Sequence, residues 1–300
     1  MKKDKKMIVC FLAPALFMFV LIFLYPVLRT IAMSFFQVEG VSDAFNTWKF
    51  IGLENYTTLL QTPIFLDSMK NMLKIWVYGG IAVMLVSLLF AAILTNGLAG
   101  KTFYKTVIYI PNIINAVAMA TMWITAIFNK RFGFLHNFFS FFGSDLAKTD
   151  YMSGSIKFWS LLVAFCFGSV GYYMLIFMGG IERLSPDMYE AATIDGASKI
   201  KQFTRITLPL LRGVFKTCLT FWSIGVVGSF VWSQMWSAPL ASELSTTTPF
   251  VYMYNITFGT QGNTFRNAAM GAAVGVLMAA TVLVIFFLIN FLIKDDDVEV

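Results

Sequence analysis

Side chains able to do covalent or metal chemistry are few and scattered in this sequence. His136 is the only histidine, so no histidine-based metal site can be assembled within the chain. It lies between Leu135 and Asn137 in a Phe-rich loop, where a packing or solvated role is expected. Cys10, Cys166 and Cys218 sit in or beside apolar runs and read as small buried hydrophobes, not as a disulfide framework or metal site. One segment, Gly97-Leu98-Ala99-Gly100-Lys101-Thr102, brushes against a phosphate-binding pattern. That pattern needs a glycine five residues before the glycine of its Gly-Lys pair. The position is Thr95 and no strand precedes it, so the segment reads as a basic loop. No catalytic residue, metal or cofactor is expected in this chain. The polar residues with the most organised spacing lie between 181 and 213, and their types suit contact with another surface.

The elements that must carry that stretch follow from composition. Of 300 residues, 58% are hydrophobic and 13% charged, against about a quarter charged in soluble domains. With 32 phenylalanines, a soluble globule would lack polar surface, so the chain reads as an integral membrane protein. The net charge of +6 comes from basic residues strung between apolar blocks, which gives no basic face for nucleic acid. A helix needs about 20 apolar residues to cross the hydrocarbon core. Six stretches qualify: Met7 to Met33, Met72 to Leu94, Val107 to Phe128, Phe158 to Gly180, Cys218 to Trp236 and Asn267 to Ile293. They contain no Asp or Glu, and Lys or Arg only near their ends at Arg29 and Lys74, which leaves no ionisable relay. The first run holds Pro14 and Pro26 and is too long for a signal-peptide core, so a retained helix is expected.

Orientation follows from the loops. With a cytoplasmic N-terminus, the inside collects Lys2, Lys3, Lys5, Lys6, Lys101, Lys105, Lys294 and the group from Arg183 to Lys216, while Lys130 and Arg131 run against the trend. Both termini are therefore expected in the cytoplasm. The organisation expected is a single transmembrane domain over 1–300: a first helix and extracytoplasmic loop over 1–69, a core over 70–293, and a cytoplasmic loop over 181–213 within it.

That loop has the grammar of two short helices. Ser185 suits an N-cap, Pro186 the first helical position and Asp187 the positive end of the dipole. Gly196 can stop the first helix in a left-handed conformation. Ser198 caps a second helix carrying Lys199, Lys201 and Arg205, which Leu208-Pro209 ends. Ala191, Ala192 and Ala197 keep the surface shallow, Glu190 and Asp195 supply fixed charge, and Met188, Tyr189 and Ile194 give apolar anchors. A docking knob for a protein and an amphipathic helix lying on the bilayer share these cues.

Glu190-Ala191-Ala192, Asp195-Gly196-Ala197 and Ile206-Thr207-Leu208-Pro209 together resemble the EAA signature of ABC importer permeases. Leu12-Ala13-Pro14-Ala15, Leu24-Tyr25-Pro26, the run from Phe50 to Tyr56 and Ile108-Tyr109-Ile110-Pro111 resemble the type I carbohydrate-uptake permeases of the glycerol-phosphate and multiple-sugar branch. The resemblance implies an all-α polytopic fold of about six transmembrane helices with a cytoplasmic coupling helix. It implies ATPase docking through Glu190, Ala191, Ala192, Asp195, Gly196, Ala197, Leu208 and Pro209, with ATP and Mg bound by the partner ATPase. The implied partners are a second homologous permease in a heterodimer, two ATPase subunits and an extracytoplasmic sugar-binding protein, all at a bacterial plasma membrane. One departure stands out. Where many relatives carry a glycine-rich Gly-Gly-Pro stretch after the fifth span, this chain has Trp236-Ser237-Ala238-Pro239 and then Ser245 to Thr248.

A sugar path needs aromatic faces and hydrogen-bonding groups at membrane depth. Asn112, Asn115, Tyr172, Tyr173, Trp222, Gln234 and Trp236 are the candidates; bundle packing or an interfacial belt is the competing reading for the aromatic ones. Glycerol phosphate is the alternative cargo. An ion-coupled carrier would need intramembrane acids, and a lipid-linked transferase an acidic or histidine cluster at an interface.

Overall fold

A computed structural model describes residues 2–237, 244–260 and 266–293, with the backbone alone for 2–6. Pro239, Lys294 and the side chains of Lys2, Lys3, Lys5 and Lys6 lie outside the described residues. Among the described residues, four helices are long and apolar enough to cross a bilayer: Met7–Met33, Pro63–Thr95, Ile156–Ile181 and Ala268–Leu292. Two further spans are bent pairs, Lys101–Ile113 with Ala116–Ile127 at 98° and Lys199–Leu210 with Arg212–Val227 at 65°. Counted this way there are six, numbered here first to sixth in chain order.

Three boundaries differ from the hydropathy reading. The third span is not one helix over Val107 to Phe128. Pro111 has no N–H for the ladder, Ile114 turns extended, and Asn115 restarts the helix by accepting the Val117 N–H on its side chain at 2.9 Å. The fifth ends at Val227; Phe230–Trp236 is a separate short helix. Between them the Ser229 hydroxyl donates to the Val226 carbonyl at 2.6 Å, local competition with the helix ladder at a Gly-Ser pair. The second span starts early, at Pro63, so it takes in Asp67 and Lys70, which pair with each other at 2.9 Å in an exposed position.

By packing, the chain forms two units. The first comprises Met1–Leu66 and Pro249–Ala280. Here a two-stranded hairpin pairs Phe36 with Phe50 and Gln37 with Lys49. Met33, Val38, Ala268, Ala269 and Ala272 form a buried cluster that Phe36 and Trp48 cover. The first N–H groups of the sixth span have no partner within their own helix. The hairpin supplies two: Ala268 N–H donates to the Glu39 carbonyl and Ala269 N–H to that of Val38, both at 3.1 Å. Asn55 is buried and donates to the Ser34 and Phe36 carbonyls at 2.9 Å, which fixes the Phe50 to Tyr56 segment under the hairpin.

The second unit, Asp67–Thr248 with Thr281–Val300, is built around the second, third and fourth spans. The helices approach closely where side chains are small. A Cβ on Gly171 of the fourth span would lie 2.4 Å from the Ile108 carbonyl oxygen and 2.8 Å from Tyr109 Cα of the third. The Gly79-Gly80 pair makes room for Trp222, whose ring would come within 2.8 Å of a Cβ at either position. Trp222, 1% exposed, donates its indole N–H to the Trp76 carbonyl at 2.9 Å. Trp76 in turn donates its own to the Ser223 hydroxyl at 2.9 Å.

Gly171→Ala must therefore push two backbones apart, whereas a Cβ on Gly179 in the same helix meets nothing within 4 Å. Overpacking of this kind costs about 1 to 3 kcal/mol. Gly171→Ala is expected to lower the melting temperature of the purified protein clearly and Gly179→Ala to leave it unchanged; equal effects of the two would refute the close-approach account.

Candidate functional site

The stretch that follows the fourth span folds as two helices, the second of them the first half of the bent fifth span, and a serine side chain caps the start of each. Ser185 has extended backbone and its hydroxyl accepts the Asp187 N–H at 3.3 Å, so the Pro186–Ile194 helix starts with Pro186 at its first position. It ends in a paired cap. Ala197 N–H donates to the Ala192 carbonyl at 2.9 Å and Gly196 N–H to that of Thr193 at 3.0 Å, with Gly196 left-handed at φ +75°. Ser198 then caps the next helix, its hydroxyl accepting the Lys201 N–H at 3.4 Å. That helix runs through a π turn at Phe203–Thr207 and stops one residue past Pro209.

Two side-chain ties clamp the helices together. The Tyr189 and Thr207 hydroxyls share a hydrogen bond of 2.8 Å. Gln202, 3% exposed, donates to the Thr193 hydroxyl at 2.9 Å and to the Ala197 carbonyl at 3.1 Å. Tyr189 is thus turned inward as a strut. Its place as an outward anchor is taken by Ile200, 78% exposed, beside Ile194 at 87%. The sequence signal for Ile200 was a lone apolar residue between Lys199 and Lys201 at the start of a capped helix. Nothing in the sequence marked Gln202 or Thr207 as ties, because the pairing joins two helices.

Glu190, Ala191, Asp195 and Gly196 are exposed; Ala192 and Ala197 are half-buried against the second helix. Glu190 lines a cavity of about 390 Å³ with Thr95, Asn96, Lys199 and Gln202. Leu208 is exposed one residue before Pro209, which borders a groove of about 900 Å³ with Met188, Leu210, Arg183 and Arg212. The loop is tied to the rest of its unit by an ion pair between Glu182 and Lys101, the lysine of the Gly97 to Thr102 segment.

The seven cargo-path candidates separate into two groups. Asn112 donates to the Gly168 carbonyl at 3.3 Å and Asn115 caps the second half of the third span, yet both remain exposed. Tyr172 is half-buried between Tyr173 and Phe221. Gln234 is half-buried with its side-chain oxygen unpaired. Tyr173, Trp222 and Trp236 are buried: Tyr173 lies edge-on to Trp222 at 5.9 Å, and Trp236 lies against Phe128 and Trp232 at 6.5 and 6.2 Å. The Trp236 indole N–H has no hydrogen-bond partner among the described residues.

The family described as "Binding-protein-dependent transport system inner membrane component" matches residues 83–295. The diacetylchitobiose uptake system permease of Streptomyces coelicolor is 26% identical over 294 residues, 93% of this chain and 81% of its own. The sn-glycerol-3-phosphate transport system permease of Shigella flexneri is 30% identical over 67% of this chain and 66% of its own. A probable ABC transporter permease of Bacillus subtilis is 31% identical over 66% of this chain and 68% of its own. In structure, a chain of a bacterial ABC transporter that imports the acidic polysaccharide alginate matches with TM-score 0.81 and 21% identity. That match covers 98% of this chain and 97% of its own, and shows the type I importer permease fold.

The clamp is testable on its own. Gln202→Ala removes a buried side chain together with its hydrogen bonds to the Thr193 hydroxyl and the Ala197 carbonyl, each worth about 0.5 to 1.5 kcal/mol. Limited proteolysis near Gly196 is expected to quicken in Gln202→Ala and not in Lys199→Ala, which truncates an exposed side chain of the same helix; equal rates would show that Gln202 does not hold the loop.

Proposed function

Because the chain belongs to the binding-protein-dependent transport system inner membrane components, we propose that it forms half of the translocation path of an ATP-driven importer of sugars or oligosaccharides. It is an integral membrane transport subunit and not an enzyme. The observation that carries the proposal is the clamped pair of helices at 186–210, with Glu190, Asp195, Ile194 and Ile200 presented outward from one stiff body. Such a body suits a groove on a partner ATPase, which would bind ATP and Mg. A loop made only to rest on lipid would have no need of buried ties between its helices.

On this reading the loop and both termini lie in the cytoplasm, as the distribution of Lys and Arg supports. Glu190 contacts the ATPase, with Ala191, Ala192 and Ala197 permitting close fit, Gly196 forming the bend and Leu208-Pro209 closing the knob. Nucleotide-driven closure of two ATPase subunits becomes a rigid-body switch of the helix bundle, which opens the path alternately to each side. A second homologous permease completes the path, and a sugar-binding protein delivers cargo at the outer face. The alginate transporter, solved in complex with an alginate pentasaccharide-bound periplasmic protein, supports that arrangement by likeness of fold. Carbohydrate is favoured as cargo because the path candidates are amides and aromatic rings without a cationic side chain, a set suited to hydroxyls and pyranose faces. Asn112, Asn115, Tyr172 and Gln234 reach cargo from a wall that Tyr173, Trp222 and Trp236 pack.

Glu190→Arg is expected to abolish uptake and co-purification of the ATPase while the chain still inserts in the membrane. Normal assembly and uptake in that variant would end the docking reading. For the path, Tyr172→Ala is expected to raise the substrate concentration at half-maximal uptake at normal protein level. Trp222→Ala removes a packed ring worth about 3 to 5 kcal/mol and is expected to lower folded protein instead. Uptake competition with unlabelled oligosaccharide and with glycerol phosphate separates the two cargo classes.

A further inference from the structure

The segment 129–155 joins the third span to the fourth and contains one α-helix, Phe134–Phe141, followed by a short 3-10 turn at Asp145–Lys148. Phe134, Phe138, Phe141 and Phe142 recur at helical spacing and share a face. All four are exposed, Phe141 to 85%. Their rings make a continuous ridge: Phe134 to Phe138 at 5.9 Å, Phe138 to Phe142 at 5.1 Å and Phe141 to Phe142 at 5.3 Å. Exposed Phe132 extends the apolar surface at the N-terminal side. The other side of the helix is occupied: Leu135, His136 and Phe139 are half-buried, and His136 Nδ1 pairs with the Ala147 carbonyl at 2.8 Å. The ridge is therefore the outer face of an ordered segment. Apolar surface of that continuity in water marks an interaction site.

We propose that this ridge lies in the lipid–water interface of the bilayer, as a short in-plane helix that anchors the 129–155 segment to the membrane surface from which it emerges. The occupant follows from continuity with the spans. Phe128, at the end of the third span, is buried, and Tyr151 returns to stack against it at 5.9 Å just before the fourth span begins at Ile156. Both ends of the segment are thus held at helix ends. The tether from Phe128 to Phe134 is six residues, about 20 Å at full stretch, and the Asn129 side chain shortens it by accepting the Arg131 and Phe132 N–H groups at 2.9 and 3.3 Å. The ridge cannot leave the neighbourhood of the bilayer. Polar Asn137 and Ser140 beside the rings, with Lys130 and Arg131 at the entry, complete the character of an interfacial helix. Neither the side of the membrane nor the cargo enters this proposal.

The test uses the assembled transporter in nanodiscs of phosphatidylethanolamine and phosphatidylglycerol. With Cys10, Cys166 and Cys218 replaced by alanine, nitroxides are placed at Phe134→Cys, Phe141→Cys and, as an aqueous control, Lys148→Cys. Collisions with oxygen are expected to exceed those with a water-soluble nickel chelate severalfold at 134 and 141, and the order to reverse at 148. Nickel collisions prevailing at 141, or shielding from both reagents, would overturn the proposal, the second by showing a protein surface there. Should the cysteine-free chain fail to assemble, p-benzoylphenylalanine at position 141 of the otherwise native chain gives a second reading. Lipid adducts support the anchor; their absence, or adducts to the binding protein or another subunit, overturns it. A transporter that loses ATPase docking in Glu190→Arg and still shows lipid collisions at 141 separates this outcome from the functional one.

Discussion

A membrane helix that breaks frees backbone groups that hydrocarbon cannot pair, so each break must carry its own partner. This chain breaks its spans repeatedly, and the polar residues at membrane depth are largely explained by that need. Asn115 closes the restart of the third span, Ser229 the end of the fifth, and Asn112 bonds a fourth-span carbonyl. The π turn at Ile75–Gly79 leaves Trp76 with a carbonyl open to a second donor, and the Trp222 indole reaches it through the slot between Gly79 and Gly80. Asn112, Asn115 and Trp222, which resemble a cargo path in sequence, thus serve first to satisfy backbone.

How much of this could be read in the sequence depended on the range of the interaction. The two-helix loop at 186–210 was legible almost residue by residue, because caps act over two or three positions: Ser185, Pro186, Gly196 and Ser198 each do locally what their type dictates. Hydropathy found every span, since burial in lipid is a property of composition. It misplaced the breaks at Ile114 and Gly228, because a window average does not register a single amide cap or hydroxyl. The contacts of Trp222 with residues near position 79, and of Asn55 with the hairpin, join distant segments and left no periodic trace. For the same reason Tyr189 read as an exposed anchor, when its hydroxyl partner at Thr207 turns it inward.

Stiffness in the loop matters only if its attachments are equally firm. At the entry, the Glu182–Lys101 pair links the loop to the segment after the second span. At the exit, Leu211 is buried, and a Cβ on Gly180 would stand 3.0 Å from its side chain, so the bend into the fifth span is seated on the end of the fourth. Glu190 and Ile194 lie on a helix that the Tyr189 and Gln202 ties hold to the next one. The exposed ion pair contributes little energy of its own, about 1 kcal/mol at most; its effect is to fix direction. Packing at Leu211 is the firmer attachment, since dense contacts resist compression where an exposed charge pair yields. Packing thus joins the loop to the fourth and fifth spans, and the close approach at Gly171 seats the fourth span against the third, the span that carries the 98° break.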